Sequence, residues 1–362
     1  LRGDPVVCNA RDFSHSRLSI PEVQCYTRRI MGLRPLPSVL TFGAAVLVTL
    51  LFWEAFAPAP ALDAGGVVVE IPAHQGVLGV AATLRNAGVI RSRVAFITLA
   101  LVRGSARKLR AGEYEVERAT DTLGVLRLLE TGRVKQHLVL HPEGATVTEL
   151  AAELERAHIA DAAAILRAAH DPAFLRGLGI PGPSVEGYLF PDTYQFVRGM
   201  TPEEILSRMV QRLRAKLTPE VLTRARERGL DPHRLLTLAS IIEREAVTRD
   251  EMRLISAVFW NRLKLDMPLQ ADPTVQYALD KSRRALTRTD LLVDHPFNTY
   301  RHPGLPPGPI ASPGLRAMEA ALDPAPVKYL YFVKMDDRRH YFSTTIEQHN
   351  AAVARYRLAR SR

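Results

Sequence analysis

The chain has 362 residues, 47% of them hydrophobic, and a formal net charge of +10 at pH 7, enough for two or three domains with buried cores. That charge calls for an acidic partner, whether nucleic acid, anionic lipid or an anionic polymer such as a bacterial cell wall; no basic patch interleaved with aromatics and no nucleic-acid motif is present, which disfavours nucleic acid. Both cysteines, Cys8 and Cys25, precede residue 30, so no disulfide framework exists downstream, and the lack of Walker, HExxH, CxxC or GxSxG patterns gives no footing for a metal, a cofactor or a serine nucleophile.

Residues 1–36 are mixed in charge and poor in periodicity, which predicts an unstructured tail, and Met31 reads as a more natural amino terminus than Leu1. Residues 37–56 follow as an apolar run whose single charge is Glu54, a length that matches a bilayer core. Arg28, Arg29 and Arg34 precede the run and no Lys or Arg follows it until Arg85, so the positive-inside rule places the amino terminus in the cytoplasm and the rest outside. A cleaved signal peptide is the competing reading, with small residues at Ala55, Ala57, Ala59 and Ala61; the apolar core is longer than such peptides use.

A Pro/Ala/Gly linker, 57–66, leads into an internal repeat. Residues 69–90 and 139–159 align at an offset of seventy, with Pro72 on Pro142, Val77 on Val147, Val80 on Leu150 and Leu84 on Leu154. Each copy reads as a short strand, a turn and an amphipathic helix, and LRAGEYEV (109–116) and TLGVLRLLETGRV (122–134) between them read as a strand and a helix. Residues 67–160 are therefore expected to form a small α+β module. Periodicity alone does not separate a glycan-binding unit from a spacer.

From 161 to 358 the pattern is helix-rich, with amphipathic stretches near 201–217, 219–229 and 251–265. Three segments between them combine Pro with aromatic, amide and carboxylate side chains: 184–196, with Tyr188 and Asp192; 267–279, with Gln270, Asp272 and Thr274; and 294–314, with Asn298 and Tyr300. Sugar faces stack on rings and sugar hydroxyls need oriented donors and acceptors, so such segments suit a glycan cleft. They also suit plain turns with aromatics in the core.

One stretch stands out, LLTLASIIEREAVTR at 235–249. Leu235, Leu238, Ala239, Ile241, Ile242 and Ala246 recur at helical spacing, so a carboxylate beside them is partly desolvated and its pKa raised, the condition for a general acid near neutral pH. Glu243 and Glu245 are two apart and point about 200° apart on a helix, so both are not expected to face one cleft. Glu245, which follows Ile241 by four and Ile242 by three, is the more hydrophobically placed and is the lead. The same residues also fit an ordinary charged helix end.

Together LASIIEREA (238–246), VFWNRL (258–263), LQADPTVQY (269–277), FNTY (297–300), GLPPGPIASPG (304–314), YLYFV (329–333) and the final HN (349–350) closely resemble the YceG-like family of endolytic murein transglycosylases. The resemblance implies a single-pass inner-membrane anchor, a LysM-like module and a helix-rich mixed α+β catalytic domain facing the periplasm. It also implies cleavage of the MurNAc-β-1,4-GlcNAc bond in nascent peptidoglycan, with Glu245 as acid and then base, since the muramic 6-hydroxyl attacks its own C1. Asp192, Asp272 and Asn298 are the expected sugar or charge contacts; Tyr188, Gln270, Thr274 and Tyr300 are expected to line the cleft. Ala246 departs from the pattern, standing where relatives have a hydroxyl residue. Two other readings stay open: a hydrolytic muramidase using Glu245 with Asp272, and a non-catalytic wall-binding scaffold that recruits peptidoglycan synthases.

Overall fold

The structure, a computed structural model, describes residues 38–57, 66–117, 120–281, 284–335 and 339–360. The tail expected at 1–36, both cysteines and residues 58–65 of the linker lie outside the described residues. The chain falls into two units, Leu1–Trp53 and Glu54–Arg362. In the first, the described part belongs to helix α1 (Ser38–Phe56), on the segment expected to enter a bilayer. Among the described residues no helix is long and apolar enough to cross a membrane.

The second unit has an α+β fold and contains, in chain order, β1 (Val67–Ile71), α2 (Val77–Asn86), α3 (Arg93–Val102), β2 (Gly112–Val116), α4 (Thr122–Thr131), β3 (His137–His141), α5 (Val147–Arg156), α6 (Ala162–Ala169), α7 (Pro172–Gly177), β4 (Asp192–Phe196), α8 (Pro202–Lys216), α9 (Pro219–Glu227), α10 (Pro232–Glu245), α11 (Met252–Lys264), α12 (Asp272–Ala278), α13 (Leu315–Leu322), β5 (Tyr331–Lys334), β6 (His340–Ser343) and α14 (Ile346–Arg360). The described strands form three antiparallel pairs, β1 with β2, β3 with β4 and β5 with β6.

The repeat in the sequence is a repeat in the fold. β1 and β3 start seventy residues apart, as do α2 and α5, and each opening strand is closed by a return strand after intervening helices. Val69 pairs with Tyr114 in the first copy and Val139 with Tyr194 in the second. Each tyrosine hydroxyl donates to the carbonyl four residues back, Tyr114 to Arg110 at 2.7 Å and Tyr194 to Phe190 at 2.6 Å. The copies nevertheless feed different cores: one hydrophobic cluster runs from Val69 to Leu129, the other from Val139 to Leu322. The division falls inside the 67–160 segment because β3 pairs with β4, which commits the second copy to the larger core.

That core surrounds α10. Asp231 caps the helix through the Arg234 N–H and Pro232 occupies its first turn, a start signal legible in the sequence. Every residue from Leu235 to Ile242 is buried, so the helix is enclosed on all sides, and each enclosed Leu or Ile contributes roughly 1.5–3 kcal/mol. The segment 184–196 departs from expectation. Its last five residues form β4, and Tyr188, Phe190, Tyr194 and Phe196 are buried in the core rather than displayed to a ligand. Gly187 makes the turn before them at φ +78°, and a Cβ there would run into Pro309. Gly187→Ala is therefore expected to cost roughly 1–3 kcal/mol in urea unfolding, whereas Gly177→Ala, at an open position, should leave the midpoint nearly unchanged.

Candidate active site

Helix α10 ends at Glu245: the Ala246 N–H still reaches the Ile242 carbonyl, but Ala246 itself turns to extended geometry at φ −66°, ψ 126°. Glu245 thus stands at the carboxy-terminal end of a buried helix, where the helix dipole disfavours negative charge. A cleft of about 890 Å³ opens around this end. Its walls are Glu143 and Gly144 from the turn after β3; Glu243 to Val247; Arg262 of α11; Gln270, Asp272, Pro273 and Gln276 at α12; Tyr300; Phe332, Val333 and Lys334 of β5; and His340 and His349.

The carboxyl of Glu245 is pushed up to about 8, first by desolvation and next by the charge of Asp272; Arg262, Arg244 and the Asp272 backbone N–H act the other way. The residue keeps partial access to the cleft. Arg262 is a buried cation held on four sides: Nε donates to the Leu330 carbonyl at 2.7 Å, and Nη1 donates to the carbonyls of Pro268 and Leu269 and to Gln270 Oε1 at 2.9–3.1 Å. The guanidinium also lies over the Tyr331 ring, 5.2 Å from its centroid. These neutral acceptors satisfy its donors without cancelling its charge, so that charge still acts on Glu245.

Asp272 is exposed in the cleft and accepts from the Tyr300 hydroxyl at 2.6 Å. Desolvation and Asp272 both raise the pKa of Tyr300, so the phenol stays protonated and acts as the donor. Gln270 takes a left-handed backbone, φ 53°, an uncommon state for a residue with a side chain, and its N–H donates to the Thr299 carbonyl at 3.1 Å.

Of the seven further residues expected at the site, the cleft collects Gln270, Asp272 and Tyr300. Thr274 and Asn298 are fully buried behind it. Thr274 Oγ1 bonds the Ala271 carbonyl at 2.7 Å and Thr299 Oγ1 at 2.9 Å; Asn298 donates to the carbonyls of Leu291 and Val293 and accepts the Tyr300 N–H at 3.0 Å. Their polar groups are occupied in fixing the loops that present Gln270, Asp272 and Tyr300. Tyr188 and Asp192 are not brought to the cleft: the Tyr188 hydroxyl meets His233 Nδ1 at 2.8 Å, and Asp192, at the start of β4, pairs with Arg212 at 2.6 Å.

Glu243 also lines the cleft, contrary to the opposite-face expectation, because the cleft wraps the helix end rather than one side. Its pKa is raised by desolvation, and its Oε2 accepts the Gly314 N–H at 2.9 Å. Sequence reasoning did not single out Arg262, Lys334, His340 or His349. Arg262 had a signal, its place in the VFWNRL segment that carries the family resemblance. Lys334 and His340 had none, since the β5–β6 pairing brings them in and the buried Glu251 fixes His340 through its N–H at 2.6 Å and its Nδ1 at 2.9 Å. Among the described residues no group of three or more His, Cys, Asp or Glu side chains is placed to hold a metal.

The arrangement sets two desolvated carboxyls, Glu243 and Glu245, in one cleft, with Glu245 the more strongly raised. The model of the YceG-like family matches residues 69–355, and the chain belongs to that family. It is 33% identical over 306 residues to the endolytic murein transglycosylase of Bacillus subtilis, across 80% of this chain and 84% of that protein. It is 30% identical over 322 residues to the endolytic murein transglycosylase of Streptococcus pneumoniae serotype 2, across 80% of this chain and 58% of that longer protein. The crystal structure of a YceG-like protein from Listeria monocytogenes matches 80% of this chain and 99% of its own, with 33% identity and a TM-score of 0.57.

A raised carboxyl pKa has a consequence for stability. The unfolded chain loses the Glu245 proton near pH 4.5 and the folded one near 8, so the folded state binds more protons in between and stability falls as pH rises through that window. Glu245→Gln removes this contribution. Its stability relative to the parent should increase from pH 4.5 to pH 8 by on the order of a few kcal/mol, read from urea midpoints at the two pH values.

Proposed function

We propose that this protein is an endolytic peptidoglycan lytic transglycosylase that cuts the MurNAc-β-1,4-GlcNAc bond within nascent strands and leaves 1,6-anhydroMurNAc ends, terminating elongation. The observation that carries this reading is the desolvated carboxyl of Glu245 at the end of α10, inside a cleft whose other groups are suited to hold hydroxyls and charge. The names of the Bacillus and Streptococcus relatives point to the same activity.

In this mechanism Glu245, protonated at neutral pH, gives its proton to the glycosidic oxygen as the C1–O bond breaks. The GlcNAc-side fragment leaves as the alcohol, and positive charge develops at C1 and the ring oxygen of the muramic residue. Asp272, oriented by the Tyr300 hydroxyl, faces that charge. The 6-hydroxyl of the same sugar then attacks C1 and the Glu245 carboxylate takes its proton, which restores the acid. Arg262 and Arg244 favour the carboxylate during the interval when it exists. Attack from within the sugar needs no positioned water and gains from proximity. Gln270 and Tyr300 serve as sugar contacts, while Thr274 and Asn298 hold the loops that carry them.

The same reading assigns the rest of the chain. Residues 37–56 act as a retained single-pass anchor with 1–36 in the cytoplasm, supported by the arginines before the apolar run. Residues from 67 form a LysM-like module for glycan strands, and 161–358 bear the catalysis outside the membrane. A hydrolytic muramidase is the second reading, favoured by the proximity of Asp272 to Glu245, because two carboxylates are what glycoside hydrolysis uses.

Mass spectrometry of products from purified peptidoglycan separates the two, since hydrolysis adds a water and transglycosylation does not. Glu245→Gln should lower release of anhydro-muropeptides by about 10²–10⁴-fold with folding intact. In the parent enzyme kcat should fall as pH rises through about 8, where Glu245 loses its proton. Full activity in Glu245→Gln would transfer the acid role to Glu243.

A further inference from the structure

A second cavity, about 340 Å³, adjoins the catalytic cleft and shares Arg244, Pro273 and Gln276 with it. A volume of this order is at the lower end of ligand pockets. Its apolar wall includes Val147, Ala278, Phe297 and Ile310, and Phe297 is braced by Tyr277 with ring centroids 4.9 Å apart. Set in this wall is Glu186, a carboxyl the cleavage chemistry does not use.

Glu186 is 4% exposed. Its Oε2 accepts the Val147 N–H at 3.1 Å and the Gly187 N–H also favours the carboxylate, whereas Oε1 makes no hydrogen bond of normal geometry in the protein. The residue is firmly placed, since its own N–H donates to Ser184 Oγ at 3.1 Å and Gly187 turns tightly against Pro309 directly after it. A buried polar atom left unpaired costs about 1–3 kcal/mol, and natural cores keep such atoms for a reason. Burial pushes the carboxyl up to about 8, so near neutral pH it holds a proton it can donate. A neutral donor beside the apolar wall of Val147, Ala278, Phe297 and Ile310, in a cavity that Arg244, Asp280, His170 and His295 also line, matches a group with a carbonyl acceptor and a methyl.

We infer that this second cavity is an amino-sugar subsite beside the cleavage point, in which Glu186 recognises the acetamido group of a strand sugar. The inference rests on the glycan-cleaving reading of the cleft. Gln276, partly exposed, lines both spaces, so neighbouring sugars of one strand are proposed to occupy them.

The test compares peptidoglycan strands carrying their acetyl groups with the same strands chemically de-N-acetylated. The parent enzyme should prefer the acetylated strand, and Glu186→Leu should shrink that preference by about tenfold, mainly through KM, the loss of roughly one hydrogen bond. Glu186→Gln retains a donor and should keep the preference. Since Glu186→Leu also removes the acceptor for Val147, Ala278→Phe provides a second variant that fills the cavity without touching Glu186, and it should shrink the preference as well. An unchanged preference in both Glu186→Leu and Ala278→Phe overturns the subsite. Sedimentation of each protein with the two strand types reads binding without cleavage. A parent that binds acetylated strands selectively and does not cut them sinks the catalytic reading and leaves the subsite standing, whereas equal binding of both strands by the parent sinks the subsite.

Discussion

The desolvation of one carboxyl at the end of a fully enclosed helix is the constraint on which the site depends. Enclosing α10 on all sides is ordinary core building, and it fixes the Glu245 backbone through eight consecutive buried residues. The helix then stops at the boundary of the core, so its last side chain meets the cleft while still surrounded by low-dielectric protein. Burial, the helix dipole and the Asp272 charge all favour the proton. Arg262 opposes them from a neighbouring helix. That opposition matters because an acid that must also act as a base needs its charged form within reach.

The duplicated frame, a strand pair closed around intervening helices, shows how a small fold was fastened to this site. At equivalent positions seventy residues apart, the first copy has Ile71 and the second has His141. Ile71 is an apolar member of the small core. His141 is equally buried but bonds Ser312 Oγ at 2.8 Å, and burial drives its pKa down to about 4, so it remains neutral. Backbone bonds reinforce the junction: the Gly144 N–H reaches the Ser312 carbonyl and the Ser312 N–H reaches the Ala145 carbonyl, both at 2.8 Å. Arg244 donates to the Gly144 carbonyl at 3.0 Å and Gly314 donates to Glu243. The second copy is thereby tied to both α10 and the proline-rich segment, whereas the first keeps a core of its own.

What was legible in the sequence followed from local rules. The apolar burial of 235–242 and the lead given to Glu245 came from periodicity, as did the helices near 201–217, 219–229 and 251–265. The segments around Gln270, Asp272 and Tyr300 were found by composition. Composition misjudged Tyr188 and Asp192 because aromatic and proline-rich residues serve a core as well as a glycan, and only the β3–β4 pairing turns those rings inward. The opposite-face argument failed for Glu243 because it assumes a cleft along the side of a helix. Lys334, His340 and His349 needed the hairpin geometry, which depends on the distant contact of His340 with Glu251.

Glu243 and Glu245 end up at one cleft, and chemistry separates them. Both are raised by desolvation. Glu243 has one oxygen committed to the Gly314 N–H, and its nearest charges, Glu143 and Arg249, form a pair of their own at 3.4 Å. It works as a latch between the helix end and the proline-rich segment. Glu245 instead faces Asp272 with its phenol donor on one side and the carbonyl-bound Arg262 on the other. A group that must give a proton and later take one needs a neighbour that stabilises each state. In the proposed mechanism Asp272 favours the protonated form of Glu245 and Arg262 its carboxylate.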